Sequence, residues 1–136
     1  SADQREKAAA IFVNDLGKTL SDKVKNGIIR ETLAVLNHAD FAPVFGVGSM
    51  AEVPITGLIN NQVISAQIDR MVVSENEILI VDFKTNRPSP KNVKDVPQIY
   101  KKQLKAYQDV MAKIYPNHNI RTALLWTDRA DLMEIV

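Results

Sequence analysis

The spacing of apolar side chains predicts two helices at the start of the chain. From residue 4 to about residue 19 apolar positions recur every four residues, which is the period of an amphipathic helix. Ser21 is a suitable N-cap for a second helix that ends near Asn37. The buried face of this second helix is expected to carry Val24, Ile28, Ile29, Leu33 and Leu36. Residues 40–48, which include one proline and two glycines, are predicted to be a loop.

The period then changes from helix to strand. Residues 49–59 and 63–73 are rich in Val, Ile and Thr and predict two strands. Asn60 and Asn61 between them favour a hairpin turn, because asparagine tolerates a positive φ. A second turn at residues 74–77 leads into residues 78–84, an almost unbroken apolar run typical of a central strand covered on both faces. The tight turn predicts antiparallel pairing between the second and third strands.

Three prolines make residues 86–97 irregular, and a third helix is predicted from Pro97 to Tyr115. Its apolar stripe consists of Tyr100, Leu104, Tyr107, Met111 and Ile114. A last strand covers residues 120–127. This order of elements predicts an α/β (α+β) fold, in which a small mixed sheet is flanked by helices.

Composition limits the possible functions without selecting one. A length of 136 residues fits a single domain (1–136), with N-terminal helices in residues 1–40 and a core in residues 49–127. The absence of cysteine excludes disulfides, thiolate zinc sites and cysteine nucleophiles. No apolar run approaches the length of a membrane span, so we expect a cytoplasmic protein without a membrane partner. The segment Gly17-Lys18-Thr19 is not a phosphate-binding loop, because Phe12 stands where that motif requires glycine.

Charged residues occur where a packed strand would not normally accept them. Asp82 and Lys84 lie two apart on the most apolar strand, so alternation places them on one face. Asp69 lies on the preceding strand and is brought towards Asp82 by the antiparallel turn, and Glu52 lies on the strand before that. Carboxylates that converge repel one another unless a hard cation lies between them, and such a cation activates water for attack on a phosphate. The pattern therefore indicates metal-assisted hydrolysis.

A structural interpretation of the same residues remains open from spacing alone. In it, Asp82 and Lys84 form a buried ion pair, Asp69 is bridged to Arg70, and Glu52 is solvated.

The motifs resemble those of the RecB-type nuclease domain, a branch of the PD-(D/E)XK superfamily. The segments that carry the resemblance are AQIDR (66–70), IVDFKT (80–85) and QLKAY (103–107). The segments AEVPI (51–55) and ALLWT (123–127) make the sequence similar, more closely, to the C-terminal nuclease of AddA-type helicase–nuclease subunits. The resemblance implies a restriction-endonuclease-like core and a nuclease that resects double-strand breaks for recombinational repair.

Roles for individual residues follow from this resemblance. It implies that Asp69, Asp82 and the backbone carbonyl of Phe83 bind Mg²⁺ or Mn²⁺, with Glu52 as a further metal-site or water-orienting carboxylate. Lys84 would be the catalytic lysine. Gln103 and Tyr107 would line the site from one helix face, and for Tyr107 a packing role is equally compatible with the pattern.

The resemblance also implies partners outside this chain. These are an AddB-like second subunit, a single DNA strand from an unwound duplex end, and an ATP site in a helicase part elsewhere; the location would be nucleoid-associated. RecB-like nucleases usually supply a metal-binding histidine from an upstream helix, but His38 is better explained as a helix-end residue. We therefore expect a fragment that is weakly active or inactive alone. The alternatives are a non-catalytic module that binds DNA or a partner, and a different nuclease such as a phage-type exonuclease.

Basic residues are concentrated near the proposed site. The chain has a net charge of +1, but residues 84–105 contain seven basic residues and one acid, so the rest of the chain is acidic overall. Beside Lys84, the candidate DNA contacts are Arg87, Lys91, Lys94, Lys101, Lys102 and Lys105. A solvated helix face is the alternative explanation of this run, and its position next to the carboxylates keeps DNA contact equally open. Trp126 is expected to be a core residue rather than a platform for base stacking.

Overall fold

The computed structural model describes residues 2–135, and it places two helices, three strands, a third long helix and a fourth strand in the predicted order, followed by a fifth strand. Ser1 and Val136, the ends of the predicted domain, lie outside the described residues. The elements are α1 (Ala2–Leu16), α2 (Asp22–Leu36), α3 (Ala42–Phe45), β1 (Ser49–Ile59), β2 (Gln62–Val73), β3 (Glu77–Lys84), α4 (Gln98–Ile114), β4 (Asn119–Trp126) and β5 (Asp131–Ile135). Short 3-10 helices cover Ala39–Phe41 and Val93–Asp95. No helix among these elements is long and apolar enough to cross a membrane.

The strands lie in the order β1-β2-β3-β4-β5, and the sheet is mixed. The pairs β1–β2, β2–β3 and β4–β5 are antiparallel, whereas β3 and β4 are parallel and are connected through α4. A crossover helix is the usual way to join two parallel neighbours. The predicted mixed sheet flanked by helices is therefore confirmed.

Helices cover the two faces of the sheet and make two separate cores. On one face, α4 packs on Ile68, Ile78, Ile80 and Leu124. On the other face, α2 and α3 contribute Val35 and Val44 to a smaller core with Val81 and Leu125. Ile80 and Val81 are fully buried on opposite faces, which confirms that β3 is a central strand covered on both sides.

Both predicted turns are present. Asn60 and Asn61 have φ values of 49° and 63°, and they connect β1 and β2 as a two-residue hairpin. At the second turn, Ser74 N donates to Glu77 O at 2.9 Å and joins β2 to β3. The predicted N-cap is also confirmed, because the Ser21 side chain accepts a hydrogen bond from Val24 N at 3.4 Å.

Several predictions in the helical parts and at the end of the chain were wrong. Residues 40–48 contain α3 as well as part of a 3-10 helix, and β5 was not predicted at all. In α4 the buried stripe includes Val110, whereas Ile114 at the last position of the helix is 51% exposed. In α2 only Val35 is buried, and Val24 and Ile28 are 46% and 41% exposed, since Val35 is the residue of α2 that joins the buried cluster on this face of the sheet.

Candidate active site

Three acidic residues lie on one transverse row of the sheet. In β1–β2, the pairs Ala51–Arg70 and Val53–Ile68 flank Glu52 and Asp69, which are opposite each other but form no ladder pair. In β2–β3 the last pair is Arg70–Val81, so that the next position would place Asp69 opposite Asp82. We call Glu52, Asp69 and Asp82 the acidic row. The sequence-based expectation that Asp69 approaches Asp82 agrees with this register.

The sheet is irregular at the acidic row. Glu52 has a φ of 53°, which is unfavourable for a residue other than glycine, asparagine or aspartate. In β2, Ile68 and Met71 pack in the same core although they are three positions apart, so alternation is interrupted between them. Backbone distortions of this kind are frequent next to functional sites.

Strands β2 and β3 separate at the same place. Beyond Val81, the residues Asp82, Phe83 and Lys84 pair only with β4. The side chain of Asp69 bridges the opening, since Phe83 N donates to Asp69 Oδ2 at 2.8 Å. Asp69 forms no ion pair with Arg70. The Arg70 guanidinium instead donates to Ser49 Oγ and lies over the Phe45 ring. Asp69 and Asp82 therefore lie on the two sides of a fork between the strands.

Asp82 is the most buried charged group of the site. The residue is 4% exposed, and its Oδ2 atom lies 2.5 Å from Lys84 Nζ. This contact lacks the angles of a hydrogen bond, and Oδ2 has no other donor within the described part of the chain. Burial raises the pKa of Asp82; the Lys84 ammonium opposes this shift, and the negative charge of Asp69 adds to it.

Helix α4 fixes the position of the Lys84 ammonium. Lys84 Nζ donates to Gln103 Oε1 at 3.1 Å, and Gln103 Nε2 in turn donates to the Tyr107 hydroxyl at 2.7 Å. Gln103 and Tyr107 are separated by one helical turn, so they share a face as expected. The structure thus brings Asp69, Asp82, Lys84, Gln103 and Tyr107 together, and Tyr107 also belongs to the core.

One residue of this group, Tyr100, was not predicted from the sequence as a site residue. Its ring lies 4.3 Å from Lys84 Nζ in a cation–π contact, and its hydroxyl donates to Asn86 Oδ1 at 3.0 Å. The available signal was its spacing, because Tyr100 precedes Gln103 by three residues and therefore lies on the same helix face.

Glu52 lies on the acidic row but is turned away from the other two carboxylates. It is exposed, and Gln67 Nε2 donates to its Oε2 atom at 2.6 Å. In residues 2–135, no three His, Cys, Asp or Glu side chains converge closely enough to form a ligand set of their own. The predicted role of Glu52 as a ligand stays a prediction.

The donor atoms nevertheless fit one hard cation. Asp69 and Asp82 offer carboxylate oxygens across the fork, and Mg²⁺ and Mn²⁺ prefer oxygen ligands, with water completing the coordination. Asp82 Oδ2 is buried, and the Lys84 ammonium 2.5 Å away is its neighbouring positive charge in the described residues. A cation at this point would also reduce the repulsion between the two carboxylates. The predicted role of the Phe83 carbonyl stays a prediction.

The six predicted DNA contacts differ in whether their charge is already paired with an acid. Arg87 forms a two-point ion pair with Glu31, with one bond of 2.7 Å, so its guanidinium is already occupied. Lys105 contacts Asp109 at 2.8 Å. The remaining four are Lys91, Lys94, Lys101 and Lys102, for which the described residues provide no ion partner.

Two residues considered from the sequence have structural roles. His38 caps the 3-10 helix Ala39–Phe41, with Asp40 N donating to its Nδ1 atom at 3.3 Å, and its ring stacks on Phe41. This confirms the expectation of a helix-end residue. Trp126 is fully buried, which confirms its prediction as a core residue.

Comparisons with known proteins show the family to which this chain belongs. The sequence matches the PD-(D/E)XK nuclease superfamily over residues 3–131. A structure from Eubacterium rectale described as a "putative exonuclease" is 16% identical with a TM-score of 0.57, and the match covers 98% of this chain and 55% of that one. The structure of SSO0001 is 20% identical with a TM-score of 0.45, covering 93% of this chain and 60% of that one. This chain therefore spans less than two thirds of either protein. No curated protein matches the sequence.

Proposed function

The chain belongs to the PD-(D/E)XK nuclease superfamily, and from this we propose that it is a divalent-metal-dependent DNA nuclease domain that hydrolyses phosphodiester bonds. The observation that supports this most is the fork, where Asp82 contacts the Lys84 ammonium and Asp69 accepts from Phe83 N between them. A buried Asp82 with the half-buried Asp69 as a negative neighbour is unfavourable for stability alone, so the pair favours a catalytic role.

The metal would be Mg²⁺, with Mn²⁺ as an alternative, held by Asp69 and Asp82. Phe83 through its carbonyl and Glu52 after a rotation of its side chain would complete the protein ligands. When bound, such a cation lowers the pKa of a coordinated water and offsets negative charge on the phosphate.

Lys84 would stabilise the negative charge that develops on the phosphate during attack by water. A fixed ammonium in a partly buried site does this without reorganisation, which is the basis of electrostatic catalysis. Gln103 accepts from Nζ while its amide nitrogen donates to Tyr107, so the amide can have only one orientation. Gln103 is therefore a positioning residue for Lys84.

For the wider context we propose an AddA-type helicase–nuclease that resects double-strand breaks. The five motif segments support this, and it implies an AddB-like subunit, a helicase part that binds ATP, and a nucleoid-associated location in the cytoplasm. The alternative is a different nuclease, such as a phage-type exonuclease. The description of the Eubacterium rectale protein favours an exonuclease in either case.

A non-catalytic module of the same fold is the second candidate, and one observation favours it. Glu52 is bonded to Gln67, and no third carboxylate joins Asp69 and Asp82 in the part of the chain that is described. Such a module would bind DNA or a partner subunit without hydrolysis.

Cleavage of single-stranded DNA with Mg²⁺ or Mn²⁺ tests the nuclease proposal. We expect Asp82→Asn and Lys84→Met to lower the rate at least about 100-fold, the usual effect of losing one such group. Asp40→Asn and Lys23→Met, at exposed positions, are matched controls. Cleavage by both the Asp82→Asn and the Lys84→Met variant at the rate of the control variants would contradict the proposal. If no cleavage occurs, calorimetry with Mn²⁺ decides between the candidates, because metal binding that requires Asp69 and Asp82 is expected only of the nuclease.

A further inference from the structure

The β1–β2 hairpin extends beyond the rest of the sheet. Strand β2 pairs with β3 only from Arg70 to Val73, whereas its pairing with β1 continues to the Asn60-Asn61 turn. We call residues 53–68 the hairpin arm. One face of the arm packs closely on α4, since a Cβ on Gly57 would lie 2.9 Å from Val110 Cγ1.

A shallow groove of about 640 Å³ runs between the end of the hairpin arm and the N-terminal half of α4. We call it the arm–α4 groove. Its apolar lining residues are Ile59 and Ile64 from the arm and Ala106 from α4. The polar lining residues are Asn60, Gln62, Gln98, Lys101, Lys102, Lys105 and Asp109.

The charge of the groove is positive and only partly compensated. Asp109 is the one acid among the lining residues, and it is already bound to Lys105 at 2.8 Å. Lys101 and Lys102 form no ion pair with any residue that the structure describes. Two free ammonium groups beside side-chain amides are suited to binding an anion such as a phosphate.

The groove and the candidate active site are built on the same two elements. On α4, Lys102 directly precedes Gln103, whose amide holds Lys84. On β2, Ile64 is five residues before Asp69, or about 17 Å along an extended strand. A chain of phosphates that contacts the groove is therefore within a few nucleotides of the fork.

We propose that the arm–α4 groove binds the phosphate backbone of single-stranded DNA and leads it to the candidate active site. This inference rests on the proposed nuclease function and adds the path of the substrate. Pockets that hold a small organic ligand have volumes of about 300–1,000 Å³, so the groove accommodates one or two nucleotides.

The salt dependence of binding tests the two free lysines. Binding of a single-stranded oligonucleotide is measured by fluorescence anisotropy with a chelator, so that no hydrolysis occurs. Each phosphate contact contributes about 0.7 to the slope of log K against log salt concentration. We expect Lys101→Gln with Lys102→Gln to reduce the slope by about 1.4. The control double variant Lys18→Gln with Lys23→Gln, on the α1–α2 part of the chain, is expected to change the slope little.

A charge on the opposite wall tests the groove itself. Gln62 lines it, whereas Thr56 lies on the same arm with an exposed side chain outside it. We expect Gln62→Glu to weaken binding about fivefold, the effect of about 1 kcal/mol of charge repulsion, and Thr56→Glu to change it less than twofold. Equal effects of the two variants, an unchanged salt slope in the lysine variant, or tighter binding of duplex than of single strands would overturn the inference. Since the assay needs no cleavage, its failure is distinct from a failure of the nuclease proposal.

Discussion

Replacing Lys84 by methionine removes the ammonium that faces Asp82 and keeps most of the apolar stem. Methionine preserves packing against the Tyr100 ring, so the change is mainly electrostatic. Asp82 then remains buried with Asp69 as its nearest charged neighbour, and two carboxylates without a cation repel each other. We therefore expect Lys84→Met to lower the stability of the fold as well as the activity.

The magnitude follows from the burial of the pair. Removing one partner of a fully buried ion pair costs about 3–5 kcal/mol. The Lys84 and Asp82 side chains are 15% and 5% exposed, which leaves modest screening by water. We therefore expect a loss of about 2–4 kcal/mol at neutral pH. An unfolding entropy of about 2.1 cal/mol/K per residue converts this to a decrease in Tm of about 7–14 °C for a chain of this length.

Thermal denaturation followed by circular dichroism measures this effect. The double variant Asp82→Asn with Lys84→Met removes both charges and is expected to recover at least half of the lost stability. Added Mg²⁺ should raise the Tm of Lys84→Met, because a cation bound by Asp69 and Asp82 replaces the missing charge and stabilises the folded state. A Tm of Lys84→Met within about 2 °C of the wild type would refute the assignment of a buried, coupled pair.

Three further predictions concern the scaffold. Gly57→Ala places a Cβ 2.9 Å from Val110 Cγ1 and should cost about 1–3 kcal/mol in urea denaturation, with partial recovery when Val110→Ala is added. Asn61→Val, at a φ of 63°, should cost about 1–2 kcal/mol in the same assay, whereas Asn61→Gly should not destabilise. Hydrogen bonds from Arg121 lower the pKa of Glu134 below its ordinary value of 4.5, so the stabilisation is complete above pH 4.5 and lost as pH falls through the lowered pKa. Glu134→Gln should remove this acid-dependent part of the Tm profile.

Sequence patterns predicted the structure correctly where a single short segment determines the local conformation. Asn60 and Asn61 fixed the first hairpin because both positions require a positive φ. The apolar run 78–84 identified the central strand, because only a strand covered on both faces accepts apolar side chains at successive positions.

Prediction failed where burial depends on which parts of an element reach the rest of the molecule. The apolar period of α2 is regular, but within the described residues Val35 alone of this helix is buried in the core against the sheet, and Val24 and Ile28 remain exposed. Strand β5 is short and has the mixed sequence DLMEI, and it becomes a strand because β4 offers it a free edge. Neither circumstance is visible within the segment itself.

The candidate site was partly predictable for the same reasons. Alternation placed Asp82 and Lys84 on one face, and the antiparallel turn placed Asp69 near them. Alternation could not predict the positive φ of Glu52 or the opening between β2 and β3, since both break the regular pattern on which the prediction depended. For that reason the sequence suggested that Glu52 joins the other carboxylates, whereas the structure pairs it with Gln67.

The irregularity of the sheet and the chemistry of the site have a common origin in the acidic row. If the ladder continued regularly through Asp69 and Asp82, two like charges would lie directly opposite each other, which destabilises a sheet. The strands separate there instead. The side chain of Asp69 accepts a hydrogen bond from Phe83 N across the opening, so its carboxylate faces a backbone donor and not the carboxylate of Asp82. The separation removes ladder pairing locally, and it leaves Asp69 and Asp82 on the two sides of the opening, where a shared cation would relieve their mutual repulsion. Substitutions that close the fork should therefore increase stability and reduce activity, as is common at functional sites.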